Sequence, residues 1–308
     1  MSELKKYKMF IDGEWVDSES KKTFQTLNPE NNEPWAEVPE ASEKDVDKAV
    51  KAAQKAFEGT WPSLFPKERA EYLKAIAEQL RKNAELLGKI ETIDTGKLFK
   101  ETKTQANYIA EYYDYYAGLA DKVEGTVLPI DKPDMQVITT RVPIGVVAAI
   151  IPWNSQMLLT AVKLAPALAM GNTVVIKSSE LAPATLFEFG KLIEKTGIPK
   201  GVVNIVSGFG EPCGKALTSH KLVERVAFTG GPETARHIIK NSAEQRAVNK
   251  LSNYLKDIAQ LFHSYYGKQK FVIDEEETRN ARVILLQCVL IVIKDGLNLL
   301  GVSAPSKM

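Results

Sequence analysis

Four short stretches of the sequence place polar or glycine residues directly after runs of apolar residues. They are IPWNSQM (151–157), IKSSE (176–180), SGFGEPCG (207–214) and FTGG (228–231). In an open α/β sheet, ligands bind in the crevice outside the carboxyl ends of the strands. The spacing of these stretches therefore predicts a ligand site that is assembled from four strand ends.

Two of these stretches carry side chains with a definite chemical capacity. Lys177 and Glu180 could both address one ribose, because a carboxylate can accept from two hydroxyls while the ammonium donates to the same sugar. Asn154 carries an amide donor that could stabilise an oxyanion, and losing such a donor costs ~10²–10³ in rate where it has been measured. The alternative for a single asparagine in a turn is a helix cap.

The other two stretches are rich in glycine. Gly208, Gly210 and Gly214 allow the backbone to approach a ligand closely, although their spacing is not the dinucleotide fingerprint. Thr229, Gly230 and Gly231 precede Pro232, where a helix begins and where free amides favour a pyrophosphate. Each stretch alone could be an ordinary turn, but three of them after successive strands favour a nucleotide site.

The cysteines and histidines do not form a recognisable catalytic or metal-binding pattern. Two cysteines give no disulfide framework and no metal-ligand spacing, so we predict no metal. Cys213 is expected to be a small buried side chain, and Cys288 an inert thiol within an apolar helix. The three histidines, at positions 220, 237 and 263, are scattered and are expected on helix surfaces.

The elements that must position these residues follow from the apolar runs. VVAAII (146–151), TVVIK (173–177), VNIVSG (203–208) and RVAFTG (225–230) do not alternate, which is typical of strands buried on both faces. Helical patterns follow each run: at 158–170, at 183–195, around Cys213 and from Pro232. Strands joined by helices make right-handed crossovers, so the sequence predicts an α/β fold with a Rossmann-like parallel sheet.

The residues before these runs predict an N-terminal region with its own elements. Residues 8–40 alternate and turn as a short sheet edge or arm would. A capping box at 42–45 opens one helix, a second follows Pro66 with apolar residues up to Leu87 on one face, and an aromatic stripe with Tyr113 suggests a third. Residues 123–143 read as two extended segments around a turn, hence a hairpin.

Residues 246–308 form a separate, short all-α segment in this interpretation, after a first region at 1–245. Helices are predicted at 247–265 and 278–300, and the segment has nine Lys/Arg against six Asp/Glu. The run at 283–293 is apolar on every side. A helix of that kind must be covered, so we expect it to pack on the first region or on another chain.

Composition narrows the classes of function. The formal net charge of +1 gives the whole chain no electrostatic reason to seek nucleic acid or anionic lipid. The apolar run at 283–293 is far shorter than the ~20 residues that span a bilayer, and the N-terminus has no signal-peptide pattern. We expect a cytoplasmic protein with no membrane partner.

At this point the motifs identify a family. The stretches FIDGEWV, ETIDTGKL, RVPIGVVAAIIPWN, KLAPALAMGNTVVIKSSELAP, GFGEPCG and VAFTGG resemble the N-terminal half of an aldehyde dehydrogenase, over residues 8–245. The resemblance implies that Asn154 is an oxyanion donor, that residues 123–143 are an oligomerisation hairpin for a homo- or hetero-oligomer, and that the cofactor is NAD. Glu180 favours NAD over NADP. The cofactor-binding residues that it implies are Ile151, Pro152, Trp153, Lys177, Ser179, Glu180, Gly210, Gly214, Phe228, Thr229, Gly230 and Gly231.

The sequence also departs from this family. Ser178 replaces a usual proline, and Gly231 stands where many members have a serine. More important, the family's general-base glutamate in an E-L-G-G motif and its downstream nucleophilic cysteine have no counterpart in the sequence. Aldehyde oxidation needs a thiolate to attack the carbonyl and a base to activate water. We therefore expect an NAD-binding chain that does not oxidise aldehydes alone.

Residues 249–308 resemble a different family. NKLSNYLKDIAQLFHSYYG and GLNLLGVSAPSKM are similar to the C-terminal anticodon-binding helices of an arginyl-tRNA synthetase. The resemblance implies an RNA-facing region with Tyr265, Tyr266 and Met308, where an aromatic ring could stack on a base. Phe262 and Tyr265 could instead pack the two helices together. We favour packing, because the small positive charge of the segment can neutralise few phosphates.

The two resemblances together indicate a fusion of a dehydrogenase-like segment and a synthetase-like segment. Two alternatives stay open: an assembly partner of full-length dehydrogenase subunits, and a tRNA-binding module.

Overall fold

The computed structural model describes residues 4–238, 262, 265 and 273–299 of the chain. The chain divides into two compact units, Met1–Ile238 and Ile239–Met308. The division at 245/246 stays a prediction. The predicted helix at 247–265 lies outside the described residues, except for Phe262 and Tyr265, which are both helical.

The first unit begins with five short strands. Strands β1, β5 and β4 form a three-stranded sheet, in which β1 runs parallel and β4 antiparallel to β5. Strands β2 and β3 join a larger sheet, so the predicted arm is partly built into the main fold. The strands are β1 (Lys5–Lys6), β2 (Met9–Ile11), β3 (Glu14–Val16), β4 (Thr23–Asn28) and β5 (Glu33–Pro39).

Four helices and a hairpin come next. Helix α1 (Glu43–Glu58) begins at the predicted capping box, where Asp45 Oδ2 accepts from the Ser42 amide at 2.8 Å. The second predicted helix is in fact two, which meet at Asn83, where the backbone leaves helical geometry. The helices are α2 (Pro66–Lys82), α3 (Ala84–Thr95) and α4 (Phe99–Leu119). The predicted hairpin is present as the antiparallel pair β6 (Val127–Leu128) and β7 (Val137–Ile138).

The nucleotide-binding pattern follows as alternating strands and helices. These elements are β8 (Val146–Ile150), α5 (Gln156–Ala169), β9 (Thr173–Lys177), α6 (Ala184–Lys195), β10 (Val203–Val206), a π-type turn (Gly210–Gly214), α7 (Lys215–Thr218), β11 (Val223–Phe228) and α8 (described over 232–238). Each predicted strand and each predicted helix of this part is therefore confirmed. The sequence pattern located them because apolar runs without alternation, separated by helical patterns, are typical of parallel strands that helices cover.

These strands form a six-stranded sheet with the order β11-β8-β9-β10-β2-β3. Strands β8, β9, β10 and β11 are parallel, and β2 and β3 close the sheet as an antiparallel edge. Nearly all residues of β8, β9 and β10 are buried. Strand β11 differs from the prediction: Glu224 and Arg225 are exposed and Val226–Phe228 are half-buried, because it is an edge strand.

In the second unit the structure describes one helix, α9 (Glu276–Leu299), close to the predicted 278–300. Several of its apolar side chains are exposed in the single chain, with Ile284 at 59 % and Leu290 at 61 %, and the expected packing of this helix on the first region or on another chain stays a prediction. Cys288 lies on this helix as predicted, but its side chain is exposed. Among the described residues, none of the helices combines the length and the apolar composition that a membrane crossing requires.

Candidate functional site

The candidate site lies at the carboxyl ends of β8 and β11, where the order of the strands reverses. Strands β8, β9 and β10 follow one another towards one edge, and β11 then returns to the other side of β8. This is the β10-β9-β8-β11 counterpart of the 3-2-1-4 half of a doubly wound sheet, in which ligands bind beside the reversal. Each of the four predicted stretches follows one of these four parallel strands, so all four lie at the same end of the sheet.

The loop after β8 is held by hydrogen bonds at both of its ends, whereas the residues in its middle are exposed. The Ile151 amide donates to the Lys177 carbonyl at 3.1 Å, and Lys97 Nζ donates to Ser155 Oγ. Trp153 and Asn154 are exposed, and no hydrogen bond of the Asn154 side chain is made to any residue that the structure describes. Its amide is thus available to a bound group, as an oxyanion donor must be.

The loop after β9 carries the predicted ribose contacts. Lys177 is 5 % exposed, and its Nζ donates to the Ser178 carbonyl at 2.9 Å and to Glu180 Oε2 at 3.3 Å. An ammonium has three donors, so one remains for a ligand. Ser179 Oγ accepts from the Leu181 amide at 3.2 Å, which fixes the turn that carries Glu180.

The glycines around the site have different roles. A side chain at Gly210 or Gly231 would meet no atom within 4 Å, so both border open space. A Cβ at Gly214 would lie 3.7 Å from the side-chain carbons of Lys177, so Gly214 borders that side chain rather than open space. Gly208 has φ +146°, and a Cβ there would lie 2.9 Å from Cys213 Cβ, so glycine is required by close packing rather than by a ligand.

Cys213 is a buried thiol, as expected. It is 0 % exposed, and burial raises the pKa of its thiol to about 12, although the nearby Lys177 charge lowers it. A thiol with that pKa is protonated at neutral pH, whereas nucleophilic cysteines have a lowered pKa and partial exposure. In this position Cys213 is a packing residue.

Beside the turn after β11 the structure reveals a residue that the motif analysis missed. Lys163, in α5, donates from Nζ to Thr229 Oγ1 at 2.7 Å and to the Leu159 carbonyl at 3.1 Å. Burial lowers the pKa of its ammonium. Lys163 is the only charged residue of α5, and that isolated charge in an apolar helix was the available signal. Next to it, Phe228 and Thr229 are half-buried and Gly230 is exposed.

Two acids in α3 are buried, which the sequence analysis did not predict. Asp94 Oδ2 accepts from the Ala184 amide at 2.8 Å, and its Oδ1 accepts from Thr26 Oγ1 at 3.0 Å, so it caps α6. Glu91 is buried, one of its oxygens has no partner among the described residues, and burial raises the pKa of its carboxyl to about 7. Both are part of the packing that supports the site.

The histidines take no part in the described site. His237 lies exposed on α8, as predicted. His220 is not on a helix surface but in the turn after α7, where its Nε2 lies 3.3 Å from Asp47 Oδ1 and its Nδ1 accepts from the Leu222 amide. His263 lies outside the described residues. Among the residues that the structure describes, no group of three His, Cys, Asp or Glu could hold a metal ion.

In a comparison with known proteins, two family models match different parts of the chain. A model described as the aldehyde dehydrogenase family matches residues 15–254, and one described as the DALR anticodon binding domain matches residues 233–308. The chain is 51 % identical over 245 residues to (Z)-2-((N-methylformamido)methylene)-5-hydroxybutyrolactone dehydrogenase of Acinetobacter baylyi, which covers 79 % of this chain and 50 % of that protein. Betaine aldehyde dehydrogenase of Bacillus subtilis is 43 % identical over 233 residues, with coverages of 75 % and 48 %.

Solved structures give the same result. A betaine aldehyde dehydrogenase from Staphylococcus aureus in complex with NAD⁺ has a TM-score of 0.76 and 40 % identity, covering 78 % of this chain and 48 % of that one. An aldehyde dehydrogenase from Bacillus cereus, also in complex with NAD⁺, has the same TM-score and identity and is covered over 49 % of its chain. The chain thus spans about half the length of the relatives it matches.

Proposed function

The chain belongs to the aldehyde dehydrogenase family over residues 15–254, and from that membership we propose that it binds NAD in the crevice between β8 and β11 without oxidising aldehydes by itself. The burial of two side chains supports the two parts of this proposal, NAD binding and the lack of aldehyde oxidation. Lys177 keeps a buried ammonium donor at the predicted ribose position. Cys213 is fully buried with a raised thiol pKa.

The residues around the crevice fit a dinucleotide. Glu180 and Lys177 can hold a ribose by accepting and donating, and the open positions at Gly210 and Gly231 leave room for phosphates. The amides at the start of α8 would favour their negative charge. The relatives of known structure in complex with NAD⁺ support this fit. Bound NAD would supply a hydride acceptor, and the residues of this chain would hold and orient it.

We propose NAD rather than NADP because of Glu180. Its carboxylate is ion-paired with Lys177, and in this proposal it also accepts from a ribose hydroxyl of the cofactor. A 2′-phosphate at that place would bring two negative groups together in a partly buried site, which is unfavourable. Glu180→Gln removes this repulsion, so it should bring the dissociation constant of NADP closer to that of NAD.

The inactivity follows from the chemistry of the thiols. With a pKa of about 12, only roughly one Cys213 in 10⁵ is a thiolate at pH 7, and the side chain has no exposed surface. Removing the nucleophile of a covalent enzyme costs on the order of 10⁶ in turnover. Cys288 is exposed, but it belongs to the second unit.

The test is a pair of measurements on the purified full chain. Calorimetric titration should give saturable NAD binding, weaker binding of NADP, and weaker NAD binding by Lys177→Met. Aldehyde-dependent NADH formation should stay at background. Clear turnover that Cys288→Ser abolishes and Cys213→Ser preserves would contradict the inactivity and assign the chemistry to the exposed thiol. Absence of NAD binding at millimolar concentration would refute the binding.

A second role is favoured by the exposed hairpin. Val127 is 62 % and Ile138 60 % exposed on β6 and β7, and exposed apolar groups of this kind mark interaction surfaces. We propose that residues 123–143 join this chain to itself or to full-length dehydrogenase subunits. Analytical ultracentrifugation should show an oligomer that Ile138→Lys disperses, whereas the control Lys122→Glu, just outside the strands, should leave it intact.

The C-terminal match supplies a further candidate. The similarity of residues 233–308 to an anticodon-binding domain supports a contact with tRNA, and Tyr265 is exposed. Nine cations against six anions in 246–308 limit the number of phosphates that can be neutralised, so we expect weak and salt-sensitive binding. A tRNA titration at two salt concentrations, with Tyr265→Ala as the variant, tests this.

We also propose a cytoplasmic location, because the two unpaired cysteines suit a reducing cytosol.

A further inference from the structure

A cavity among the N-terminal strands is lined by lysines. It has a volume of about 260 Å³ and is bordered by β1, the residues between β1 and β2, the loop between β3 and β4, and β5. The charged side chains that line it are Lys6, Lys8, Asp17, Lys21, Lys22 and Glu37. Four ammonium groups against two carboxylates leave an excess of positive charge, so the cavity favours an anion.

Most of this positive charge is not neutralised by neighbouring carboxylates. Lys8 Nζ lies 3.7 Å from Asp17 Oδ2, which is a long ion pair between two exposed side chains. Lys6, Lys21 and Lys22 are exposed, and none of them forms an ion pair within the part of the chain that the structure describes. Like charges around one cavity repel one another, and a bound anion would relieve that repulsion.

The loop between β3 and β4 holds Lys21 in an unusual backbone conformation. Its φ is +57°, in the left-handed region, and the other described non-glycine residues with positive φ are Asp12 and Asn32, whose types adopt that region more readily. The Lys21 amide donates to the Ser18 carbonyl at 3.0 Å, and the buried Ser18 Oγ donates to the Glu40 carbonyl at 2.7 Å. The turn is thus fixed in a conformation that a lysine adopts only at a cost, and residues of this kind cluster at ligand-binding sites.

The size and the charge of the cavity indicate the class of ligand. Sites for drug-sized ligands have about 300–1,000 Å³, so a cavity of about 260 Å³ accepts a smaller molecule. Lysine binds phosphate as a point charge, and a phosphate group carries about −1.5 to −2 charges at pH 7. A diphosphate group brings more negative charge into this volume than a carboxylate does, and it can reach more than one ammonium.

We propose that this cavity binds a small molecule that carries a diphosphate group, held by the four lysines that line it. The site is separate from the crevice between β8 and β11. None of its lining residues belongs to that crevice, and in the six-stranded sheet β9 and β10 lie between β8 and β2. The inference does not depend on NAD binding, so the two can fail separately.

The experiment is calorimetric titration of the full chain with inorganic pyrophosphate at low ionic strength. We expect saturable binding that weakens as salt is added. Lys21→Asn removes one ammonium and places at this position a residue type that adopts the left-handed region more readily. It should therefore bind pyrophosphate at least tenfold more weakly and keep or raise the melting temperature. Lys132→Asn, which removes an exposed lysine between β6 and β7, is the matched control and should bind pyrophosphate as the wild type does.

Chemical acetylation locates the bound anion. The ammonium groups of the four cavity lysines should react more slowly when pyrophosphate is present, because the anion covers them. Lys132 should react at the same rate with and without pyrophosphate. Mass spectrometry of the digested chain measures both rates in one sample.

Several outcomes would overturn the proposal. Absence of saturable binding would do so, as would equal losses in Lys21→Asn and Lys132→Asn. Equal affinity for sulfate would show that the lysines attract any small anion. Loss of pyrophosphate binding in Lys177→Met, with normal binding by Lys21→Asn, would place the anion in the crevice between β8 and β11. Protection of the cavity lysines by tRNA and not by pyrophosphate would assign them to RNA.

Discussion

The two sides of the candidate crevice differ in how completely this chain surrounds them. On the side of β9 and β10, Lys177 and Cys213 are buried, and the turn that carries Glu180 is fixed by hydrogen bonds. On the side of β11, Asn154 and Gly231 are exposed, and the strand itself is half open. The difference shows that the strand ends at β9 and β10 are packed within this sheet, whereas the loops after β8 and β11 are open to solvent.

The largest expected effect tests whether the covered side excludes water. Burial raises the pKa of the Glu91 carboxyl from 4.5 to about 7. Its stabilising contribution is therefore present below pH 4.5, and it is lost as the pH rises through 7, by about 3 kcal/mol in total. Glu91→Gln should match the wild type near pH 4.5 and exceed it by that amount at pH 8.

Urea unfolding of both proteins across this pH range measures the difference. Glu85→Gln, which removes an exposed carboxylate of the same helix, is the control and should show no comparable gain at pH 8. A constant difference between the Glu91 variant and the wild type at every pH would mean that the Glu91 carboxyl is solvated.

The same substitution on two strands sharpens the comparison. Val175, on β9, is fully buried, whereas Val226, on β11, is half-buried. Val175→Ala should lower the free energy of unfolding by about 2–3 kcal/mol, because it removes buried methyl groups and leaves a cavity. Val226→Ala should cost less than about 1 kcal/mol. Equal losses would show that β11 is covered in solution, which chemical denaturation of the two variants can establish.

The sequence predicted those features that depend on neighbouring residues, and it missed those that depend on contacts in space. The capping box of Ser42 and Asp45 and the four apolar runs are written in neighbouring residues, so they were predicted with their type and approximate limits. The exposure of β11 and of Cys288 depends on what lies next to them in space, which no local pattern contains. The contact of Lys163 with Thr229 joins residues 66 apart and was missed for the same reason.

A smaller effect is expected at the ribose position. Lys177→Met removes a buried charged donor and should weaken NAD binding about 30-fold, since hydrogen bonds to charged groups contribute about 1.5–3 kcal/mol. Lys82→Met is the matched control, because Lys82 pairs with Glu78 on the surface of α2 in an exposed ion pair. The control should bind NAD as the wild type does, since such pairs contribute little.

Calorimetric titration at constant ionic strength separates these variants. If Lys177→Met bound NAD normally while keeping its melting temperature, the buried ammonium would be a packing feature and the cofactor would lie elsewhere. If both lysine variants lost affinity equally, the effect would be the loss of one positive charge from the whole protein.

The smallest expected effect concerns the open side. Asn154 is exposed and has no side-chain hydrogen bond to any described residue, so Asn154→Ala should change neither the melting temperature nor the NAD affinity by more than about twofold. In an assembled catalytic site the same substitution would remove an oxyanion donor, at a cost of ~10²–10³ in rate. Thermal unfolding and calorimetric NAD titration of the variant and the wild-type chain measure both quantities. A large loss of NAD affinity in the chain alone would mean that the loop after β8 is already organised around the cofactor, and the contrast between the two sides of the crevice would then be wrong.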